Sequence, residues 1–211
     1  MSIREQSKRE TREALLQAAL EQFAAGGFDG PSLDAICAHA GFTRGAFYVH
    51  FRNREDLVAA VVERALSRFL DAVITSGDEE HGLEATVERY LAVAAGGFRE
   101  LRGVEAVSEA QEDAATGVLF HQVLEACGRS AGIRERFVLI LEGAIGRVAR
   151  AARSGQAAGR IRDDVPAAEI AGLLMLLALG IRAGVDIGLS LDVEEVRRAV
   201  MRLLARDRGR C

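Results

Sequence analysis

The sequence predicts an all-α fold of about nine helices. Strong helix formers, chiefly alanine, leucine, arginine and glutamate, dominate the 211 residues, and only two prolines interrupt them. Apolar residues recur with the 3.6-residue period of a helix along most of the chain. Alternating runs of β-branched or aromatic residues bounded by turns are missing, so we expect almost no strand. Apolar residues make up 49% of the chain, which is enough to bury a core without disulfides or a metal.

The N-terminal part predicts three helices in a small head. An apolar stripe of Leu16, Ala19, Leu20 and Phe23 marks the first helix, and the glycine pair at 26–27 ends it. We expect this head to be joined by a long fourth helix to a C-terminal helical bundle.

Two short helices follow the first, with Gly41 between them. Ser32 is placed to cap the earlier helix and Thr43 to cap the later one. A short helix, a glycine turn and a second short helix meet the physical requirement of a helix-turn-helix, whose second helix enters the major groove by its N-terminal end. We therefore predict a helix-turn-helix at residues 32–51.

The second short helix carries small and basic residues on its predicted outer face. Arg44 can donate two hydrogen bonds to a guanine edge, and Ala46 can meet a thymine methyl. Gly45 and Ala46 are also small enough for a close approach to the groove. Three aromatic side chains are expected to anchor this helix from behind: Phe42, Phe47 and Phe51.

The remaining chain predicts a long fourth helix and a helical body. Asn53 is placed to cap the fourth helix, which starts near Arg54. A polar, turn-rich stretch at 75–82 predicts a loop, and we expect two helices within 99–130. Apolar stripes return from Ile133 onward, and Pro166 suits the first turn of a further helix. These patterns divide the chain into a small N-terminal head and a larger helical body.

Net charge does not support nucleic-acid binding. The chain carries a formal charge of −4, and its first 56 residues hold seven Lys and Arg against eight Asp and Glu. Any DNA contact must therefore depend on where the charges lie. Arg44, His50, Arg52 and Arg54 fall within eleven residues of one another, whereas the acidic residues lie mostly on other predicted faces.

The segment from Ala40 to Leu57 resembles the DNA-binding signature of the TetR family of bacterial regulators. A glycine turn leads to Tyr48-Val-His-Phe51, which is followed by a basic residue, a glutamate and a leucine. The upstream half, with its Phe23-Ala-Ala-Gly-Gly-Phe ending, is also similar. The resemblance runs from about Arg9 to Phe69, and beyond it only the layout of helices is shared. It implies a DNA-binding domain at residues 9–69 and a helical effector-binding and dimerisation domain at residues 70–211.

This resemblance implies a transcription regulator that binds double-stranded, palindromic operator DNA and represses by default. It implies that Tyr48 and His50 touch the sugar-phosphate backbone and that Thr43 caps the recognition helix near a phosphate. Arg54 stands where the family usually has lysine, and its charge is expected to preserve a phosphate contact. The expected DNA-binding residues are Ser32, Thr43, Arg44, Gly45, Ala46, Tyr48, His50, Arg52 and Arg54.

The helix from Pro166 to about Asp186 is apolar almost all round, so other elements must cover every side of it. The simplest cover is a two-fold, four-helix interface made by this helix and the last helix of each subunit, and the resemblance implies the same homodimer. A buried core helix in a monomer is the alternative. The expected interface residues are Leu173, Leu176, Leu177, Gly180, Gly184, Val196, Val200 and Leu203.

The resemblance also implies a small-molecule effector held between the long helices of the body. Charge is scarce on the inner stripes, so we expect an apolar or aromatic effector. Each candidate also suits an ordinary core position. The candidate lining residues are Phe69, Tyr90, Phe98, Phe120, His121 and Phe137.

Enzymatic alternatives lack support in the sequence, and no cofactor or metal is expected. Residues 128–132 match the G-x-S-x-G pattern of a hydrolase, but a helical pattern precedes them and histidine is absent after His121. The histidines also lack the Glu-x-x-His spacing of a di-iron bundle. A helical ligand-binding or scaffolding protein that has lost DNA binding is the remaining alternative.

The chain is expected to be cytoplasmic and to have no membrane partner. Its three cysteines are widely spaced, and its N-terminus lacks the apolar segment of a signal peptide. The longest apolar run, at 170–181, spans 12 residues, which is too short to cross a bilayer.

Overall fold

The computed structural model describes residues 2–74, 82–96 and 120–206. Within these ranges the chain forms nine helices, and its one isolated bridge pairs Ile161 with Ala205. The predicted all-α class is confirmed. The helices are α1 (Ile3–Gly26), α2 (Leu33–His39), α3 (Arg44–His50), α4 (Arg54–Val73), α5 (Leu83–Gly96), α6 (Phe120–Arg129), α7 (Ala131–Ala157), α8 (Ala167–Asp186) and α9 (Val193–Leu204).

The described residues divide into two compact units. The first unit, here called the head, contains residues 2–68 together with 120–138. The second unit, here called the body, contains 69–74, 82–96 and 139–206. The compact head therefore includes α6 and the first turns of α7 besides most of the predicted 9–69 domain, whose functional bounds stay a prediction.

Ion pairs attach α6 and α7 to the rest of the head. Arg129 donates to Asp29 in the α1–α2 loop over 2.7 Å, and Arg136 donates to Asp56 of α4 over 2.8 Å. The guanidinium of Arg136 and the backbone N–H of Arg52 hold the pKa of Asp56 below its usual range, although burial opposes them. These pairs join residues 80 to 100 positions apart in sequence, which explains why helical periodicity did not reveal them.

Ser130 links α6 to α7 and is almost fully buried. Its hydroxyl accepts a hydrogen bond from the Ile133 N–H at 3.2 Å and bonds to the Glu55 carboxylate. This serine is the centre of the G-x-S-x-G match. Its hydroxyl serves as a helix cap and a tertiary contact in the junction between two helices.

Aromatic side chains form the centre of the head. Phe23, Phe47 and Phe51 are almost completely buried, and the Phe47 and Phe51 rings stack at 5.4 Å between centroids. Phe28 meets Phe23 edge-on at 5.3 Å. Because α3 has only seven residues, its burial of Phe47 supplies stability that so short a helix lacks alone.

A left-handed glycine separates α2 from α3. Gly41 has a φ of 74°, its N–H donates to the Ala38 carbonyl, and the next N–H, of Phe42, donates to the Cys37 carbonyl. This pair of bonds is a Schellman motif, which satisfies the last carbonyls of α2. A Cβ at Gly41 would meet nothing within 4 Å, so the requirement for glycine comes from φ alone.

In the body, a hydrogen bond to a backbone carbonyl and an ion pair join the helices. The Tyr90 hydroxyl of α5 donates to the Ala178 carbonyl of α8 over 2.5 Å, and Arg147 of α7 binds the Asp71 carboxylate at 2.6 Å. Burial raises the pKa of Tyr90, so its hydroxyl remains a donor.

Helix α8 is more extensive than the apolar run counted in the sequence. It has 20 residues and a mean hydropathy of 1.8 in its most apolar window, of which 28% is buried. By length and composition it is long enough to cross a membrane, which corrects the expectation from the 12-residue run. Three residues before that run and five after it, including the charged Glu169, Arg182 and Asp186, lengthen the helix.

We expect Gly41→Ala to lower the free energy of unfolding by about 1 kcal/mol, because an alanine at this φ is strained. Gly128→Ala is the matched control: it also lies in the head with open space around its Cβ position, but it is helical. This control should leave stability unchanged or raise it by up to about 1 kcal/mol. Urea denaturation followed by circular dichroism measures both. Equal effects of the two substitutions would contradict the backbone argument.

Candidate nucleic-acid interface

Two side-chain hydroxyls cap the two helices of the predicted helix-turn-helix. Ser32 Oγ accepts from the Ala35 N–H at 3.1 Å, and Thr43 Oγ1 accepts from the Ala46 N–H at 3.2 Å. The predicted caps at Ser32 and Thr43 are therefore confirmed. Both residues are exposed, so they lie at the surface while they fix the first turns of α2 and α3.

The outer face of α3 is made of two short rows. Arg44 and Tyr48 are one turn apart, and Gly45 and Val49 form the neighbouring row. All four residues are exposed, with exposed fractions of 53% for Tyr48 and 62% for Val49, while Phe47 on the opposite face is fully buried. The helix therefore presents one solvent-exposed face, which carries the charge of Arg44, the ring of Tyr48 and, at Gly45, a position with no side chain.

Arg44 is oriented by two partners. Its Nη1 lies 3.4 Å from Asp34 Oδ2 on α2, and its Nη2 lies 3.4 Å from the Tyr48 hydroxyl. The hydrogen bond from Arg44 to Tyr48, together with the charge of Asp34, raises the pKa of Arg44 above its already high usual value. Sequence reasoning missed Asp34, although its position in the first turn of α2 beside the Ser32 cap is a signal for it.

Gly45 is not required by the fold of the head. A Cβ there would meet Thr43 Oγ1 at 3.6 Å, which is ordinary van der Waals contact. Ala46 is half-buried, and its N–H is already taken by the Thr43 cap. The open surface at the start of α3 is therefore centred on Gly45.

His50, at the end of α3, lies beside basic residues of α1. Burial lowers the pKa of His50 below its ordinary value of 6.5, and the charges of Lys8 and Arg12 lower it further. Arg12 also places its guanidinium 5.0 Å from the centre of the Phe51 ring. Helix α1 thus adds positive charge beside α3. Sequence reasoning missed this contribution, although Lys8 and Arg12 have the i, i+4 spacing of one helix face.

Arg54 binds within the head, and the phosphate contact expected of it stays a prediction. Its Nη2 donates to the carbonyls of Phe28 and Pro31, at 2.6 and 2.7 Å, and its guanidinium lies 5.3 Å from the Phe23 ring centre. The side chain is half-buried. It holds the α1–α2 loop against the start of α4, because hydrogen bonds from a charged donor are stronger than those between neutral groups.

Arg52 remains at the surface, with a side chain that is 83% exposed. Its backbone N–H donates to Asp56 at 3.2 Å, and Asn53 Oδ1 accepts from the Asp56 N–H at 2.8 Å. The predicted Asn53 cap of α4 is therefore confirmed, and the charge of Arg52 lies next to that helix N-terminus.

The predicted effector residues fall into separate groups. Phe69 and Tyr90 of the body meet edge-on at 6.1 Å between ring centroids. Phe120 and Phe137 of the head lie 6.3 Å apart. His121 is exposed, and Phe98 lies outside the described residues.

The predicted interface residues of α8 and α9 divide between surface and interior. Leu173, Leu176, Leu177, Gly180 and Leu203 are exposed on the single chain, and Val196 is half-buried. Gly184 and Val200 correct the predicted set, because both are buried within the chain itself. At Gly184 a Cβ would approach Leu189 to 3.1 Å, so this glycine accommodates the following loop.

Similar proteins share both the sequence of the head and the fold. The family described as "Bacterial regulatory proteins, tetR family" matches residues 15–61. The transcriptional regulator UidR of Escherichia coli K12 is 28% identical over 180 residues, which cover 83% of this chain and 82% of UidR.

Two solved structures have similar folds. Salmonella enterica GusR has a TM-score of 0.67 at 22% identity and covers 92% of this chain and 95% of its own. A SmeT–triclosan complex has a TM-score of 0.67 at 25% identity, with 94% and 93% covered; SmeT is from Stenotrophomonas maltophilia. The chain belongs to the TetR family of bacterial regulatory proteins and is a helix-turn-helix transcription regulator.

Proposed function

We propose that the chain is a homodimeric repressor whose α3 docks in the major groove of a palindromic operator and whose release is triggered by a small-molecule effector. The outer face of α3 carries this proposal. Arg44 is held there beside the open surface of Gly45, on a helix fixed from behind by Phe47. A cytoplasmic location follows from this role, and the proposal requires no catalysis or cofactor.

In the proposed complex, Arg44 reads a base edge, and Tyr48 contacts the sugar-phosphate backbone. Gly45 and Ala46 allow the N-terminal end of α3 to approach the bases, and Ser32 and Thr43 lie near phosphates as exposed caps. The charges of Arg52, His50 and the α1 basic residues meet the flanking backbone. Arg54 acts indirectly, since it holds the α1–α2 loop in place.

We expect Arg44→Ala to relax sequence preference at one base pair of each half-site and to cost about 1–3 kcal/mol of specific binding. Tyr48→Ala should instead weaken binding to all sequences. Fluorescence anisotropy at two salt concentrations measures both, with DNA from upstream of the protein's own coding sequence and its single-base variants. Affinity should fall with salt, with a log–log slope of about −0.9 for each phosphate neutralised.

Arg198→Ala is the matched control, because Arg198 is an exposed arginine of α9. It should leave both affinity and preference unchanged. Unchanged preference in Arg44→Ala would refute the base contact. Failure of the unaltered protein to bind any promoter-length DNA would favour the scaffolding alternative.

The lowered pKa of His50 predicts opposite pH effects on folding and on DNA binding. Between the native pKa and the unfolded value near 6.5, the unfolded chain binds more protons. The contribution of His50 to stability is thus fully present above that window and is lost as pH falls through it. DNA phosphates favour the protonated ring, so the contribution of His50 to DNA affinity should grow over the same fall in pH.

His50→Gln separates the two effects. We expect this variant to lose less stability than the unaltered protein between about pH 7 and pH 5, as measured by urea denaturation. Its DNA affinity, measured by anisotropy over the same range, should gain less on acidification. Parallel behaviour of both proteins in both measurements would exclude His50 as the responsible group.

The exposed leucines of α8 support the dimer. Leu173, Leu176, Leu177 and Gly180 have the i, i+3, i+4, i+7 spacing of a single helix face, and Leu203 of α9 is similarly exposed. A contiguous apolar face of this kind is typical of a protein interface. We assign it to a second copy of the chain because a palindromic operator requires two heads related by a two-fold axis.

Leu176→Glu should convert the dimer to a monomer, because it places a charge at the centre of this face. Leu139→Glu is the matched control, since Leu139 of α7 is 67% exposed and Leu176 is 68% exposed. Sedimentation velocity at micromolar concentration distinguishes the two states. Dissociation by the Leu139 variant alone would place the interface on α7.

Effector release is proposed from similar proteins. SmeT, described as the repressor of a multidrug efflux pump, has been solved in complex with triclosan, an aromatic molecule. We infer an apolar effector here as well, with Phe69 and Tyr90 as candidate contacts in the body. The effector would act by favouring head spacings that do not match the operator, which is a population shift between existing states.

A further inference from the structure

A cavity of about 300 Å³ opens in the body between α5, α8 and α9. Leu91 of α5 and Ile181 of α8 form its buried wall, and Val193 and Val196 of α9 form another side. Val185 of α8 and residues 189–191, in the loop between α8 and α9, complete the lining. None of the effector candidates taken from the sequence lies in this lining.

The position of the loop depends on two glycines. Gly188 has a φ of 80°, which favours glycine, and Leu189 packs so closely on Gly184 that a Cβ there would approach it to 3.1 Å. Leu189 and its neighbour Ile187 nevertheless remain largely exposed. The loop therefore places apolar surface at the edge of the cavity, where a bound molecule would cover part of it.

The lining selects for a saturated ligand. Its side chains are leucine, isoleucine and valine, apart from the single hydroxyl of Ser190, and it contains no aromatic ring for stacking. At about 30 Å³ for each water-sized atom, the volume holds about ten non-hydrogen atoms. These dimensions match the small end of ligand pockets in proteins.

The charges near the opening disfavour an anion. Asp192, Glu194 and Glu195 flank the lining residues in the chain, and Asp192 already caps the N-terminus of α9. Arg197 is occupied by Glu194, with N–O distances of 2.7 and 2.8 Å. Arg182 pairs with Asp186 at 2.6 Å, and Arg198 adds a third positive charge beside Glu194. Four carboxylates thus stand against three guanidiniums among these residues, so a carboxylate ligand would meet a surplus of negative charge.

We propose that this cavity binds a neutral aliphatic molecule of about eight to ten carbons with one hydrogen-bonding end directed to Ser190. Its role as a signal depends on the proposed function, but binding itself does not. The test uses the full-length protein without DNA, so failure of ligand binding and failure of DNA binding are separate results.

1-Octanol is the probe, with octanoate and benzyl alcohol as charged and aromatic comparisons. Methyl NMR of the labelled protein should show saturable binding of 1-octanol, with nuclear Overhauser contacts to methyls of Leu91, Val193 and Val196. Affinity for octanoate and for benzyl alcohol should be at least tenfold weaker. Ser190→Ala should weaken 1-octanol binding several-fold, because it removes the only polar side chain of the lining.

Val193→Phe should abolish binding by filling the cavity. Ile187→Phe, the matched control on the exposed part of the loop, should leave it intact, and thermal melting verifies that both variants fold. Contacts confined to other methyls, equal affinity for octanoate, or no saturable binding would overturn the proposal. If Val193→Phe does not fold, the Ser190→Ala result and the location of the contacts decide.

Discussion

The arrangement of the head depends on one cation, Arg54, at the start of α4. Its guanidinium joins two backbone carbonyls of the α1–α2 loop and the ring of Phe23. Those contacts fix the entry of α2, and hence the turn that leads to α3. A lysine, usual here in the family, presents a point charge, whereas the planar guanidinium can join both carbonyls and lie over an aromatic ring. The same side chain therefore holds the loop that leads to the recognition element.

The helical conformation of α3 depends on its N-terminal cap and on packing against the rest of the head. Seven residues are too few to form a stable helix in water, so the Thr43 cap and the burial of Phe47 and Phe51 must provide its stability. This arrangement fixes the outer face before DNA arrives. Arg44, held between Asp34 and Tyr48, begins with fewer rotamers than an exposed arginine normally has. In the proposed contact with a base edge, less side-chain entropy would consequently be lost.

The features that were predictable from sequence are those encoded within a few residues. The caps at Ser32, Thr43 and Asn53 and the turn at Gly41 have local chemical signatures, so pattern reasoning located them. The pairing of Arg129 with Asp29 joins positions 100 residues apart, and no local signal specifies it. The facing of Gly184 was also misjudged, because the path of the following loop, rather than the period of α8, decides which side of that residue is covered.

The charge balance of the first 56 residues has a consequence for the search along a chromosome. Non-specific attraction to DNA comes from phosphate neutralisation, and a segment with net charge −1 gains little of it. An operator competes for its regulator with about a million or more non-cognate sites on the chromosome. A regulator that binds weakly to non-cognate DNA spends more of its time unbound, so fewer of its copies are held at the wrong sequences. Few molecules per cell then suffice to keep one operator occupied, provided that the contacts made by α3 supply the discrimination.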